Sequence, residues 1–181
     1  MLTWKVRDGV ELRLPEERHA AELFRVVEAN RHRLRDWLPW VPLTHSVDDI
    51  LAFIRTSRRE FERPERMNLL IFCDGHIAGS CGLRIDDRWH ETAEIGYWIS
   101  EEWMGKGIVT DCCRAVISYA FEDLNLSRIQ ILCAPGNERS RAIPKRLKFV
   151  YEGTLRQVER VGPRILDLEC HALLRSEWSR W

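Results

Sequence analysis

The stretch Tyr97-Trp98-Ile99-Ser100-Glu101-Glu102-Trp103-Met104-Gly105-Lys106-Gly107-Ile108 constrains the fold of this 181-residue chain more than any other. An apolar strand enters a loop with two glycines one residue apart. An amphipathic helix follows through about Leu124, with Ala115, Val116, Tyr119 and Ala120 on one face. Glycine lets backbone come close to a ligand, and a helix start presents unpaired N–H groups with a partial positive charge. Such a turn suits an anion, and a pyrophosphate in particular. A tight turn without any ligand carries the same residues, so the loop needs support from elsewhere. Two phosphate loops are excluded. Gly105-Lys106 is followed by Gly107 and not by the Ser or Thr of a P-loop. Thr110 stands where the dinucleotide fingerprint needs its third glycine.

The flanking sequence supplies a sheet and helices. Leu2 to Val6 and Val10 to Arg13 read as short strands around Asp8-Gly9. Pro15, followed by Glu16 and Glu17, predicts the first turn of a helix that buries Ala20, Leu23, Phe24 and Val27. After the loop Trp37-Leu38-Pro39-Trp40-Val41-Pro42, Ser46 and Asp49 form a capping box for a second helix with Ile50, Phe53, Ile54 and Phe61 inward. Leu69 to Cys73 and Ile77 to Leu83 flank Asp74-Gly75-His76 as a hairpin, and a turn at Asp86-Asp87-Arg88 leads to a strand from Ala93 to Ile99. Downstream come a strand at Arg128 to Cys133, a short helix at Ser140 to Leu147, and strands at Phe149 to Arg160 and Arg164 to Leu174 around Val161-Gly162-Pro163. The order ββααβββαβαββ defines a mixed α+β fold, with a central sheet flanked by helices. No repeat or linker interrupts it, so residues 1–181 read as a single domain.

Net charge is zero with a pI near 7.0, which gives no electrostatic footprint for nucleic acid. No apolar run reaches the roughly 20 residues of a membrane helix, and the N-terminal residues do not read as a signal peptide. Cysteines 73, 81, 112, 113, 133 and 170 sit in apolar segments without metal-ligand spacing. They are expected to be reduced core residues of a cytoplasmic protein, with no metal and no Cys/His nucleophile.

Gly105-Lys106-Gly107 before a helix resembles the acetyl-CoA pyrophosphate loop of the GNAT N-acetyltransferases, Gln/Arg-x-x-Gly-x-Gly/Ala. Asn137-Glu138-Arg139-Ser140-Arg141-Ala142-Ile143-Pro144-Lys145-Arg146-Leu147-Lys148-Phe149 resembles that family's second block. The resemblance covers the chain from about Val10 to Leu174, and the Trp37-Leu38-Pro39-Trp40 loop narrows it to the RimJ/RimL-like, ribosomal-protein N-acetyltransferase branch. Two positions depart from the pattern. Glu102 replaces the usual Gln or Arg, and Lys148 stands where glycine would permit a left-handed turn.

The resemblance implies a GNAT fold and acetyl-CoA held by Ile99, Met104, Gly105, Lys106, Gly107, Ile108, Val109, Asn137, Ser140, Arg141 and Arg146. It implies direct acetyl transfer to an amine, with Glu101 as base and Ser140 as acid. Glu94, on the preceding strand, is a second candidate base, and Tyr97 a further proton donor. Each has a plainer reading: Glu101 and Glu94 as solvated acids, Ser140 as a helix cap, Tyr97 as a packed aromatic. The expected acceptor is a protein α-amine, such as that of a ribosomal protein; the alternatives are a small amine such as a polyamine or aminoglycoside, or a CoA-binding module without catalysis. The Trp37–Pro42 loop is expected to wall the acceptor channel. A homodimer is expected, with Trp178 and Trp181 as candidate interface residues.

Overall fold

Eight strands pair into one sheet within the residues that the computed structural model describes, which are 3–62, 66–87 and 89–179. Leu2, Arg88 and Trp181 lie outside them. In chain order the elements are β1 (Thr3–Arg7), β2 (Val10–Arg13), α1 (Ala20–Leu34), α2 (Val47–Glu62), β3 (Arg66–Cys73), β4 (His76–Asp87) and β5 (Thr92–Ile99). Then follow α3 (Ile108–Glu122), β6 (Arg128–Cys133), α4 (Glu138–Arg146), β7 (Val150–Val161) and β8 (Arg164–Leu174). The spatial order is β1-β2-β3-β4-β5-β6-β8-β7, and every neighbouring pair is antiparallel except β5 with β6. This is the expected α+β order.

Helices cover both faces. On one, Leu70, Phe72, Ile77 and Trp98 pack against Ala20, Leu23 and Val27 of α1 and Ile50 and Ile54 of α2. On the other, Leu69, Ile71, Leu83, Ile95, Ile129 and Ile131 pack against α3 and against Ile143 of α4. Residues 69–73 of β3 are therefore buried without alternation, as a strand covered on both sides must be. The face predicted for α3 was too narrow. Val116 and Ala120 are buried, but Cys112, Cys113, Ile117 and Phe121 are buried with them, while Ala115 and Tyr119 are half-exposed.

Local chemistry explains most boundaries. Asp74 and Gly75 have φ of 49° and 86°, the two left-handed residues of a tight hairpin turn. Ser46 and Asp49 close their capping box, with Asp49 Oδ2 accepting from the Ser46 amide at 2.9 Å. Two expectations are corrected. Pro15 precedes the helix instead of entering it: Glu16 caps a 3-10 turn at Glu17–His19, and α1 begins at Ala20. The turn expected at Asp86-Asp87-Arg88 falls later, because β4 stays paired with β5 through Asp87 and Thr92.

All six cysteines are free, and all but Cys170 are buried. Trp178 packs on Phe121, ring centroids 5.4 Å apart, so it joins the core edge and is not a freely exposed interface residue. The exposed apolar side chains lie elsewhere, among them Val150, Leu155 and Val158 on β7 and Ile165 on β8.

Candidate active site

The sheet opens where β5 meets β6. Their parallel ladder joins Thr92, Ala93 and Glu94 to Arg128, Ile129 and Gln130, and then ends. From Ile95 to Ile99 the β5 backbone runs on without a β6 partner, and the glycine loop follows at its end. The loop starts with one 3-10 turn, Glu101–Trp103, and passes through Gly105 and Gly107 at φ of 75° and 76°. Any other residue would be strained there, typically by about 1–2 kcal/mol. Gly107 is the N-cap of α3 and supplies no side chain to the first-turn amides. Thr110 Oγ1, in that same turn, is buried without a hydrogen-bond partner. A Cβ on Gly105 would meet nothing within 4 Å. Uncapped amides beside open space fit an anionic group such as a pyrophosphate.

Side chains brace this loop. Arg7 of β1 donates to the Lys106 carbonyl at 2.9 Å and pairs with Asp111 of α3 at 2.7 Å. The Lys106 ammonium lies 4.4 Å from the centre of the Trp103 ring, and Arg139 reaches the Met104 sulfur at 3.2 Å. The Ile99 carbonyl accepts from Arg33 of α1 at 2.6 Å. Ile108 and Val109 are buried in the first turn of α3, and Glu102 is exposed, directed away from the core.

Across the opening, α4 begins at Asn137, whose Oδ1 accepts from the Ser140 amide at 3.2 Å. Asn137 is thus the cap, and the Ser140 hydroxyl serves another purpose. It donates to the phenolic oxygen of Tyr97 at 3.3 Å, while the Tyr97 hydroxyl donates to the Ser140 carbonyl at 3.0 Å. That carbonyl is free of a helical donor because residue 144 is a proline, which has no N–H to return four positions back. Burial pushes the Tyr97 phenol well up, so it stays protonated.

The two glutamates separate. Glu94 lines a cavity of about 390 Å³ on the α1–α2 face of the sheet, with its side chain 20% exposed and paired with Arg84 at 2.8 Å. Burial raises its pKa, and Arg84 only partly opposes the rise. Glu101 is 66% exposed, lies 3.9 Å from His32, and is not among the cavity's lining residues. Leu38 and Trp40 line the cavity, and Trp37 lies over Gly136, just before α4.

Arg141 is tied up at its Nε, which donates to Glu169 of β8 at 2.7 Å. Burial raises the Glu169 pKa, but hydrogen bonds from Arg141 and His171 outweigh it, and the net shift is downward. Lys145 and Arg146 are exposed in the last turn of α4, Arg146 about 9 Å along the helix from Ser140. Cys133, Glu169 and His171 converge to within 4.8 Å, a grouping that sequence spacing concealed. Cys133 and Glu169 are cross-strand partners, and His171 lies two residues along the same face. The carboxylate oxygen nearest His171 is the one that already holds Arg141, and burial pushes the Cys133 thiol up to about 11. The sequence names Tyr97 as a proton donor but does not pair it with Ser140, and the cavity residues Phe53, Asn68, Ser80, Gly82 and Gly96 carry no sequence motif.

A sheet opened beyond one short parallel pairing, with a left-handed glycine loop over the opening, is the frame of an acyl-CoA N-acyltransferase. Residues 10–150 match the acetyltransferase (GNAT) domain family. "Putative ribosomal N-acetyltransferase YdaF" of Bacillus subtilis (strain 168) is 38% identical over 98% of both chains. Spermidine N(1)-acetyltransferase of Escherichia coli (strain K12) is 29% identical over 81% of this chain and 76% of its own. Among solved structures, RimL, a ribosomal L7/L12 alpha-N-protein acetyltransferase in complex with coenzyme A, superposes with a TM-score of 0.92. It is 25% identical and matches over 97% of this chain and 99% of that one. The chain belongs to the GNAT acetyltransferase family and is an N-acetyltransferase related to the ribosomal-protein acetyltransferases. No helix among the described residues is long and apolar enough to cross a membrane.

Proposed function

We propose that the protein transfers the acetyl group of acetyl-CoA directly to the α-amine of a protein N-terminus, as RimL-type relatives are named for doing. The observation that carries this reading is the Tyr97–Ser140 pair at the open edge of β5, next to the cavity that Glu94 lines. Acetyl-CoA supplies the activated acyl group. Backbone amides from Met104 to Val109 hold its pyrophosphate, with Ile99, Asn137 and the basic residues of α4 along its path.

Glu94 is the better base. An α-ammonium has a pKa near 8 and needs only a modest acceptor, and a carboxylate raised by burial is closer to that task than a solvated one. Glu101 remains at the rim, where it can meet the rest of an incoming peptide. Ser140, backed by the Tyr97 phenol, supplies the proton for the leaving thiolate. The reading includes a cytoplasmic homodimer, consistent with the apolar side chains exposed on β7 and β8.

The test is incubation with acetyl-CoA and short peptides, followed by thiol release and mapping of the acetyl group. Acetylation at the α-amine is expected. Acetylation confined to polyamines or to lysine side chains would overturn the reading.

A further inference from the structure

The cavity's floor is built in three cross-strand rows, each one residue from β3, β4 and β5. Arg66, Arg84 and Glu94 form a charged row; Asn68, Gly82 and Gly96 a bare one; Leu70, Ser80 and Trp98 a mainly apolar one. Neighbouring rows are about 7 Å apart along the strands. A Cβ on Gly96 would meet nothing within 4 Å, so the floor is open at that position. A Cβ on Gly82 would strike the Met67 carbonyl at 2.6 Å, which keeps that position small. Leu23 and Val27 of α1, Trp40 of the loop, and Ile50 and Phe53 of α2 also line the cavity. The Trp40 and Trp98 rings lie 6.2 Å apart.

The charges in this cavity cancel. Its lining carries two acids, Asp49 and Glu94, and two bases, Arg66 and Arg84. Glu94 is paired with Arg84, and Asp49 accepts through Oδ2 from the amides of His45 and Ser46 and from the Ser46 hydroxyl. A polyamine, which carries a second cationic centre, would enter a lining whose formal charge sums to zero and not an acidic one. An apolar side chain of some size would instead find aromatic and aliphatic walls.

Resting on the α-amine reading above, we propose that this cavity selects the acceptor's first residue: the amine sits over Gly96 within reach of Glu94, and a large apolar side chain packs among Trp40, Trp98 and Phe53. The substrate class is a peptide N-terminus beginning with leucine, methionine or phenylalanine.

The experiment is steady-state turnover of the wild-type protein on peptides identical except for the first residue, beside spermidine. Leucine-, methionine- and phenylalanine-first peptides are expected to exceed serine- and glycine-first ones in kcat/KM by on the order of tenfold or more. In Phe53→Ala, at a position 40% exposed, the leucine-to-serine ratio should narrow severalfold. Serine- or glycine-first peptides acetylated as well as leucine-first ones would overturn the selection and leave the α-amine reading standing, and an unchanged ratio in Phe53→Ala would overturn the placing of the side chain. Acetylation of spermidine with no peptide turned over would remove both.

Discussion

Replacing Lys148 by glycine should stabilise the protein, although it removes a charged side chain and adds no contact. Lys148 follows α4 at φ 60°, in the left-handed region. Its amide bonds to the Lys145 carbonyl at 3.2 Å, and that of Phe149 bonds to the Pro144 carbonyl at 3.0 Å. These paired bonds form the Schellman ending of a helix, which favours glycine at this position. A residue with a Cβ is destabilised there by about 1–2 kcal/mol. Glycine gives back roughly 0.4–1 kcal/mol through the extra freedom of its unfolded chain. The net gain is about 0.5–1 kcal/mol. For a domain of this length that is a rise in Tm of about 1–4 °C. Lys148 is exposed, so little packing is lost. Thermal and urea unfolding would measure the change, with Lys148→Ala as the control that discards the charge but keeps the Cβ. A Tm that falls in the glycine variant, or rises equally in both, would refute backbone strain as the cause.

Ser140→Ala should lower kcat by on the order of a hundredfold with little change in acetyl-CoA affinity, and Tyr97→Phe should do so less severely; stopped thiol-release assays beside calorimetry separate the two effects. If Glu94 is the base, kcat/KM should rise with pH through a midpoint above the ordinary carboxylate range, because its pKa is raised, and Glu94→Gln should abolish that limb; an intact limb would transfer the role to another group. Gly107→Ala should weaken acetyl-CoA binding by strain alone, of about 1–2 kcal/mol, since the nearest atom to a new Cβ is Arg7 Nη1 at 4.0 Å. Glu169→Gln should cost about 1–2 kcal/mol of stability at neutral pH. The Glu169 pKa is lowered by folding, so its contribution is present above the unfolded pKa and is lost as pH falls through the folded one; the variant's stability should therefore depend less on pH across that acid window.

Much of the fold was legible because its signals are local. Alternation, the Asp74-Gly75 turn, the Ser46–Asp49 box and the paired glycines at 105 and 107 each act within a few residues, and each appears where the sequence placed it. Even the oddity of Lys148 could be foreseen, since a left-handed helix ending is a local demand. The site was less legible because it depends on pairings between distant segments. Nothing near Glu94 signals that the β5–β6 ladder ends beside it, and the sequence offers the solvated reading for Glu94 and Glu101 alike, although only Glu101 proves exposed. Tyr97 and Ser140 are 43 positions apart, and Arg141 and Glu169 are 28 apart; only the folded sheet brings them together.

The proline at position 144 has a consequence for the direction of proton flow. A phenol has one proton, and the Ser140 carbonyl, left without a helical donor, holds the Tyr97 proton. The Tyr97 oxygen can then only accept, so the serine proton must point inward to it. At rest the serine therefore turns its lone pairs, not its hydrogen, toward the cleft. Before it can protonate a thiolate its O–H must turn about the Cβ–Oγ bond, breaking a contact that at 3.3 Å is long for two hydroxyls and thus weak. The acid is kept cocked away from the substrate, and a helix-breaking residue one turn downstream sets the catch.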